Sequence, residues 1–392
     1  MVAEMMVVEM EYGLVVADLS SILTLTDLLR SEIAAHGPLR FSDFMARALY
    51  DLEFGYYATG KARVGRAGDF FTSVSVGPLF GALLARQFAE VWERLDRPEP
   101  FDLVEQGAHD GSLAADVLAA MPRECRVRLT LVEPSAHWRA AQQARLANTG
   151  VEVRWVGSVE ELEPLSGVCY SNELVDAFPV HRVRLTPEGW RELGVNWPGE
   201  GFAWAEIEAP LTEALRRGLP FTGDAEAALG AGFQPGYTTE VNLAAVDWMA
   251  KLSRRLQRGL ILAIDYGFPR ADYYALHRTD GTLQAYSAHR VVEPLAFPGE
   301  ADLTTHVDFS ALAEAAQAGG LEVAGFADQH HFLVALSRLY FTDGVPPAPR
   351  DLRAFQTLSH PTMLGRAFKV LGVGKGLGDR LSGFAFARGG EL

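Results

Sequence analysis

Residues 101–121 read FDLVEQGAHDGSLAADVLAAM. The opening run, 101–106, is apolar with few polar breaks, which predicts a short strand covered on both faces. Gly107 and Gly111 punctuate a turn, and Ser112 is placed to cap a helix that turns Leu113 and Val117 inward. A strand, a glycine turn and a helix in succession open a βαβ unit. In open α/β sheets, ligands lie beyond the carboxyl ends of such strands. Outward from this stretch, further strands are predicted at 128–133, 151–156, 167–172 and 260–265, with helices between several of them. Apolar runs with little alternation point to an α/β fold built on a mainly parallel, doubly wound sheet.

The flanks of this core read differently. Helical spacing covers 25–36, where Thr26 offers an N-cap and Gly37-Pro38 a stop, then 42–51 and 77–95. Between the last two lie FGYYATG (54–60) and GRAGDFFTS (65–73), too apolar for a mere linker. A long insert separates the fourth and fifth strands; its first part reads as antiparallel strands and about 210–255 as helical. A polar, histidine-bearing stretch follows at 272–309, then a helix and a further strand. The chain divides into a flexible tail (1–20), a helical region with a covering loop (21–100), the first part of the core with antiparallel strands (101–205), a helical insert (206–256) and the remainder of the core (257–392). The N-terminal helices and the insert are expected to form an additional lobe, with the ligand cleft between lobe and core.

Composition excludes several functions. A formal charge of -15 repels phosphates, so nucleic acid is not the expected partner. The two cysteines, Cys125 and Cys169, lie far apart and outside any CxxC or Cys/His cluster, and the ten histidines offer no third ligand at a sensible spacing, so no metal is expected. The chain has no apolar run long enough for a membrane span, and its acidic start lacks a basic n-region. These features suggest a bacterial cytoplasmic enzyme.

The second strand ends at Glu133, about 20 residues after the glycine turn, where a carboxylate can accept both ribose hydroxyl protons. A dinucleotide fingerprint would need a third glycine, and His109 stands in its middle position, which disfavours a nicotinamide cofactor. Glu105, at the end of the first strand, can serve an ammonium. A nucleoside with a cationic side chain suits this pair of acids better than a pyrophosphate does.

Nine further segments occur in a telling order: LYDLEFGYYATG (49–60), GDFFTS (68–73), LFG (79–81), VEQGAHDGSL (104–113), SNELVDAFPV (171–180), GWRELGV (189–195), LAIDYGF (262–268), GTLQAYSAHRV (281–291) and GEADLTTHVDF (299–309). On these the chain resembles the MidA-like S-adenosylmethionine-dependent methyltransferases over about residues 25–390. Two departures stand out: the family's Gly-Pro-Gly-x-Gly-Thr loop is Gly107, Ala108, His109, Asp110, Gly111, Ser112 here, and its Asp-Pro is Asp51-Leu52. The resemblance implies a class I Rossmann-like methyltransferase core and S-adenosylmethionine as cofactor. It assigns Gly107, Ala108, Gly111, Glu105, Glu133 and Asn172 to the cofactor, with Asp69, Thr72 and Ser73 folding back over it. It also implies a protein arginine as acceptor, by likeness to mitochondrial relatives that act on a respiratory-complex subunit. Carboxylates suit a guanidinium, and Glu173, Asp176 and Asp265 are the catalytic candidates, placed after the fourth strand and at the end of the fifth. Structural roles for each carboxylate, a small-molecule acceptor, and a non-catalytic assembly protein that keeps the fold all stay open on the sequence.

Overall fold

The structure, a computed structural model, describes residues 24–60, 72–287, 290–341, 348–387 and 392. Eight strands form the central sheet, seven of them in one row: β1 (Phe101–Gln106), β2 (Val127–Val132), β3 (Glu152–Val156), β4 (Leu165–Asn172), β5 (Leu256–Phe268), β6 (Glu322–Asp328) and β7 (Phe368–Lys375); the short strand Val307–Asp308 pairs parallel with the end of β5. Their spatial order is β6-β7-β5-β4-β1-β2-β3. The pairs β1–β2, β2–β3, β1–β4 and β4–β5 are parallel, while β7 runs antiparallel between β5 and β6. The strand order reverses beside β1, so the crevice at the tips of β1 and β4 is where a ligand is expected.

The strands β1, β4 and β5 are buried almost throughout because helices cover both faces. On one face Leu83, Phe88 and Trp92 of the helix Leu79–Arg94 pack with Leu113 and Val117 of the helix Ser112–Ala120. On the other, Trp248 and Met249 of Leu243–Arg255 meet Phe309 and Leu312 of Phe309–Ala318. The long β5 reads as one apolar run in the sequence for the same reason.

The additional lobe has its own sheet, which joins Leu39–Arg40 to the insert strands His181–Thr186, Gly189–Asn196, Ala203–Glu206 and Thr238–Val241. The insert strands pair with one another, with Leu39–Arg40 and with Thr238–Val241, in a sheet separate from the central one. The helix Leu25–His36 spans the expected residues, but its cap differs. Thr24, not Thr26, is its N-cap, because Asp27 returns the hydrogen bond and completes a capping box.

A third, three-stranded sheet occupies part of the stretch read only as polar. Gln284–Ser287 pairs with both Arg290–Val292 and Asp302–Thr304. Strands of three or four residues leave no periodic signal in the sequence. Among the described residues no helix is long and apolar enough to cross a membrane, and no group of His, Cys, Asp and Glu is arranged to hold a metal ion.

Candidate active site

A cavity of about 1070 Å³ runs across the tips of β1, β2 and β4 and reaches the three-stranded sheet. One end is built by the β1 turn. Gly107, His109 and Gly111 all take left-handed backbone conformations, with φ of 78°, 47° and 82°. For Gly107 and Gly111 this costs little; for His109 it is strain that the neighbours must hold. They do: the His109 carbonyl accepts a bond from Gln142 Nε2 at 2.8 Å, and its ring lies 4.0 Å from that of Trp138. Ser112 does not cap the helix it opens; Asp110 Oδ1 accepts the Ser112 N–H at 3.0 Å and takes that role. Serine at the first helical position has its own N–H to satisfy, and the aspartate two residues back reaches it.

Glu133 follows β2 and lines the same end. Its carboxylate accepts Ser135 N–H at 2.9 Å and Gln142 Nε2 at 3.1 Å. Burial raises its pKa, and those two bonds oppose the rise. Gln142 is itself fixed by Trp155 Nε1 at 3.0 Å, so the acid is held on a tether of side chains. Glu105 is buried, accepts Tyr170 Oη at 2.9 Å, and is pushed up to about 8, chiefly by burial.

The other end gathers acids. Glu173 follows β4 with φ of 53° and is pushed up to about 8 by burial, against the bond from Asn172 Nδ2 at 2.9 Å. A left-handed glutamate is uncommon and marks a position over-determined by its surroundings; here its N–H is tied to the Ile264 carbonyl of β5. Asp176 is buried and lifted well above the usual carboxylate range by burial, then by the charges of Asp265, Asp302 and Glu173. Asp265 does something else. Its Oδ2 accepts the N–H groups of Leu174 (3.1 Å), Val175 (2.8 Å) and Asp176 (3.3 Å), and Oδ1 accepts that of Tyr266 at 2.8 Å. It is absent from the cavity wall and instead fixes the turn that carries the other two acids. Four backbone donors thus occupy the oxygens of this catalytic candidate.

The remaining candidates divide similarly. Ala108, Gly107, Asn172 and Thr72 line the cavity, and Thr72 Oγ1 sits 2.9 Å from Ser75 Oγ. Gly111 does not line it; its left-handed turn leads into the helix. Ser73 is fully buried and donates to Gln329 Oε1 at 3.1 Å, away from the cavity, while its backbone bonds Glu173. Asp69 lies outside the described residues. Sequence reading missed Ser135, Trp138 and Asp110 at one end and Asp302, Thr305 and Tyr286 at the other, all in the wall. Tyr57, from the FGYYATG stretch, stands in the wall as well.

The wall's charge is one-sided. It carries Glu105, Asp110, Glu133, Glu173, Asp176 and Asp302, and among the described residues that line it there is no lysine or arginine. Among the described residues, three buried polar atoms of lining residues, Asn172 Oδ1, His109 Nε2 and His306 Nδ1, have no partner within the protein. Buried polar atoms are ordinarily satisfied, so all three suit a ligand's donors or acceptors.

Comparison with known proteins agrees with this geometry. The profile of a family described as "Putative S-adenosyl-L-methionine-dependent methyltransferase" matches residues 83–327. A Burkholderia thailandensis protein crystallised with S-adenosyl-homocysteine is similar at 32% identity and a TM-score of 0.81, over 93% of this chain and 95% of that one. The human mitochondrial protein arginine methyltransferase NDUFAF7 is 28% identical over 376 residues, 87% of this chain and 82% of its own. Its Drosophila melanogaster homologue is 26% identical over 394 residues, 90% and 85% respectively.

Proposed function

The chain belongs to the S-adenosyl-L-methionine-dependent methyltransferase family matched at residues 83–327, and from that premise we propose that its acceptor is the guanidinium of a protein arginine. Its cofactor is S-adenosylmethionine, which supplies a methyl group activated on a sulfonium sulfur. The cavity fits that molecule. Glu133 presents a carboxylate to the ribose hydroxyls, the glycine turn lets the backbone come close, and Asn172 Oδ1 is a buried acceptor waiting for a donor. Glu105 and Thr72 face the methionine half, where a carboxylate suits the ammonium.

Glu173 and Asp176 hold the acceptor. Paired hydrogen bonds donated to carboxylates orient a guanidinium and draw its charge away from the attacking nitrogen. Each methyl transferred to a guanidinium releases one proton. Glu173, lifted to about 8 by burial, is matched to take it near neutral pH. Asp265 keeps both carboxylates in place from behind.

The observation that supports the arginine acceptor is the acidic wall, which among the described residues that line it carries no lysine or arginine. Buried charges need compensation, and an acceptor cation supplies it here. The protein arginine methyltransferases among the relatives are consistent with this, and a respiratory-complex subunit is the first acceptor to try. The test is direct. The protein is incubated with methyl-labelled S-adenosylmethionine and arginine- or lysine-bearing peptides, then the product is hydrolysed to amino acids. Label in methylarginines supports the reading; label confined to other residues, or to small molecules alone, overturns it.

A further inference from the structure

A histidine at the acceptor end has an unused nitrogen. His306 joins the strand Asp302–Thr304 of the three-stranded sheet to the short strand Val307–Asp308 beside β5. It lines the cavity with Tyr266 and Thr282. Its backbone is fixed on three sides. Its own N–H donates to Thr282 Oγ1 at 3.0 Å, the Thr305 N–H before it donates to the Asp176 carbonyl at 2.8 Å, and Val307 after it pairs with Gly267. The ring is held by aromatic contact, its centroid 5.0 Å from that of Phe268 edge-on and 6.5 Å from that of Tyr266 in a parallel stack. Nδ1 is buried and has no partner among the described residues. Leaving a buried nitrogen unpaired costs stability, and a ligand that supplies the missing bond recovers it. The imidazole is neutral, because burial first, and then the charges of Arg278 and Lys369, pull its pKa down to about 4. It therefore offers one N–H and one lone pair.

We propose that His306 is an acceptor-binding residue, whose uncharged imidazole takes a hydrogen bond from an N–H of the guanidinium that Glu173 and Asp176 leave uncovered. This role rests on the arginine acceptor proposed above. A guanidinium is planar, with five N–H donors that leave along diverging edges and no acceptor of its own. Glu173 and Asp176 both follow β4. His306 comes from a different element, stapled to their turn by the bond from Thr305 to Asp176. It can therefore take a donor on an edge that the two acids do not reach. Its neutrality matters as much as its place. A protonated imidazole has no lone pair and would set one cation against another. Arg278 lies with its guanidinium 4.4 Å from the Phe268 ring, and Lys369 is on β7; neither is in the cavity wall. Both keep the imidazole uncharged without meeting the ligand.

The test is NMR of isotope-labelled histidine nitrogens in the full chain saturated with S-adenosylhomocysteine. The His306 resonances are those missing from the spectrum of His306→Phe or His306→Gln. The probes are two peptides identical except for one residue, arginine or its neutral isostere citrulline. At neutral pH the arginine peptide is expected to move the lone-pair nitrogen of His306 towards the position of a hydrogen-bonded, neutral imidazole. Calorimetry on the same complexes is expected to show His306→Phe weakening the arginine peptide roughly 10- to 100-fold, as for loss of a hydrogen bond with one charged partner. Its affinity for S-adenosylhomocysteine should stay at the wild-type value. Its melting temperature should hold or rise, since phenylalanine keeps the aromatic contacts and removes the unpaired nitrogen. His306→Gln, which keeps a polar acceptor, should recover part of the binding. His306 resonances that do not move at peptide saturation overturn the assignment, and so does a shift of both nitrogens to the protonated form. A His306→Phe variant with wild-type peptide affinity, or one that loses peptide binding, cofactor binding and melting temperature together, overturns it as well. In each of these cases a wild type that prefers arginine to citrulline leaves the arginine reading standing. A wild type that does not distinguish the two defeats that reading and the role of His306 with it.

Discussion

The two ends of the cavity are made differently. The cofactor end is one strand, one turn and one helix in succession, closed by the acid that follows the next strand, and its polar groups are mostly satisfied by near neighbours: Asp110 by Ser112, Glu133 by Ser135 and Gln142. The acceptor end draws on residues near 57, 173–176, 266 and 302–306, and it concentrates acids whose charges oppose one another. The first end is prepared for a ligand by local backbone geometry. The second gathers buried acids, a cost that a cationic acceptor of the kind proposed would lower.

The largest effects are expected at the acceptor end. Glu173→Gln or Asp176→Asn should cut kcat by about a hundredfold or more, the scale of losing one preorganised electrostatic contact, while S-adenosylhomocysteine binds as in wild type. Steady-state rates beside cofactor titrations check this. If cofactor affinity falls with the rate, the two ends are not separable.

The pH dependence sharpens the same contrast. Glu173 stands at about 8 against an ordinary 4.5. Between those values the folded protein holds a proton that the unfolded chain has released, so stability contributed by this group falls as pH rises through that window. Glu105, also at about 8, acts in the same direction. The acceptor-free protein is therefore expected to melt earlier at pH 8 than at pH 6, and an arginine peptide should narrow the gap. kcat/KM should climb with pH towards about 8, and Glu173→Gln should remove that climb. A flat wild-type profile would count against Glu173 as the proton acceptor.

At the cofactor end, Glu133→Ala should weaken S-adenosylhomocysteine binding by about 1–3 kcal/mol, the value of hydrogen bonds to a charged group. Unchanged affinity would remove the ribose assignment. The smallest effect is expected for His109→Gly. Relief of the left-handed histidine offsets the lost contact with Trp138 and the added freedom of the unfolded chain, so stability should shift by less than about 1 kcal/mol. Urea unfolding measures it.

The same contrast explains what was legible in the sequence. The sheet, the β1 turn and Glu133 could be read because each rests on short-range pattern: apolar runs, glycines and a fixed interval to the next acid. Glu173 and Asp176 were legible as a motif beside a strand end. The four backbone donors on Asp265 were not readable, since they are set by how β5 packs on β4. Asp302 and Tyr57 were invisible as a pair because 245 residues separate them and only the folded lobe makes them meet. Likewise nothing in the local pattern of the strands at 181–206 announces their pairing with Leu39–Arg40.

The most direct measurement is a crystal structure of the chain with S-adenosylhomocysteine and an arginine peptide bound together. The account predicts the guanidinium between Glu173 and Asp176, facing the sulfur across the cavity. A peptide seated elsewhere, or an arginine side chain turned away from those carboxylates, would contradict it.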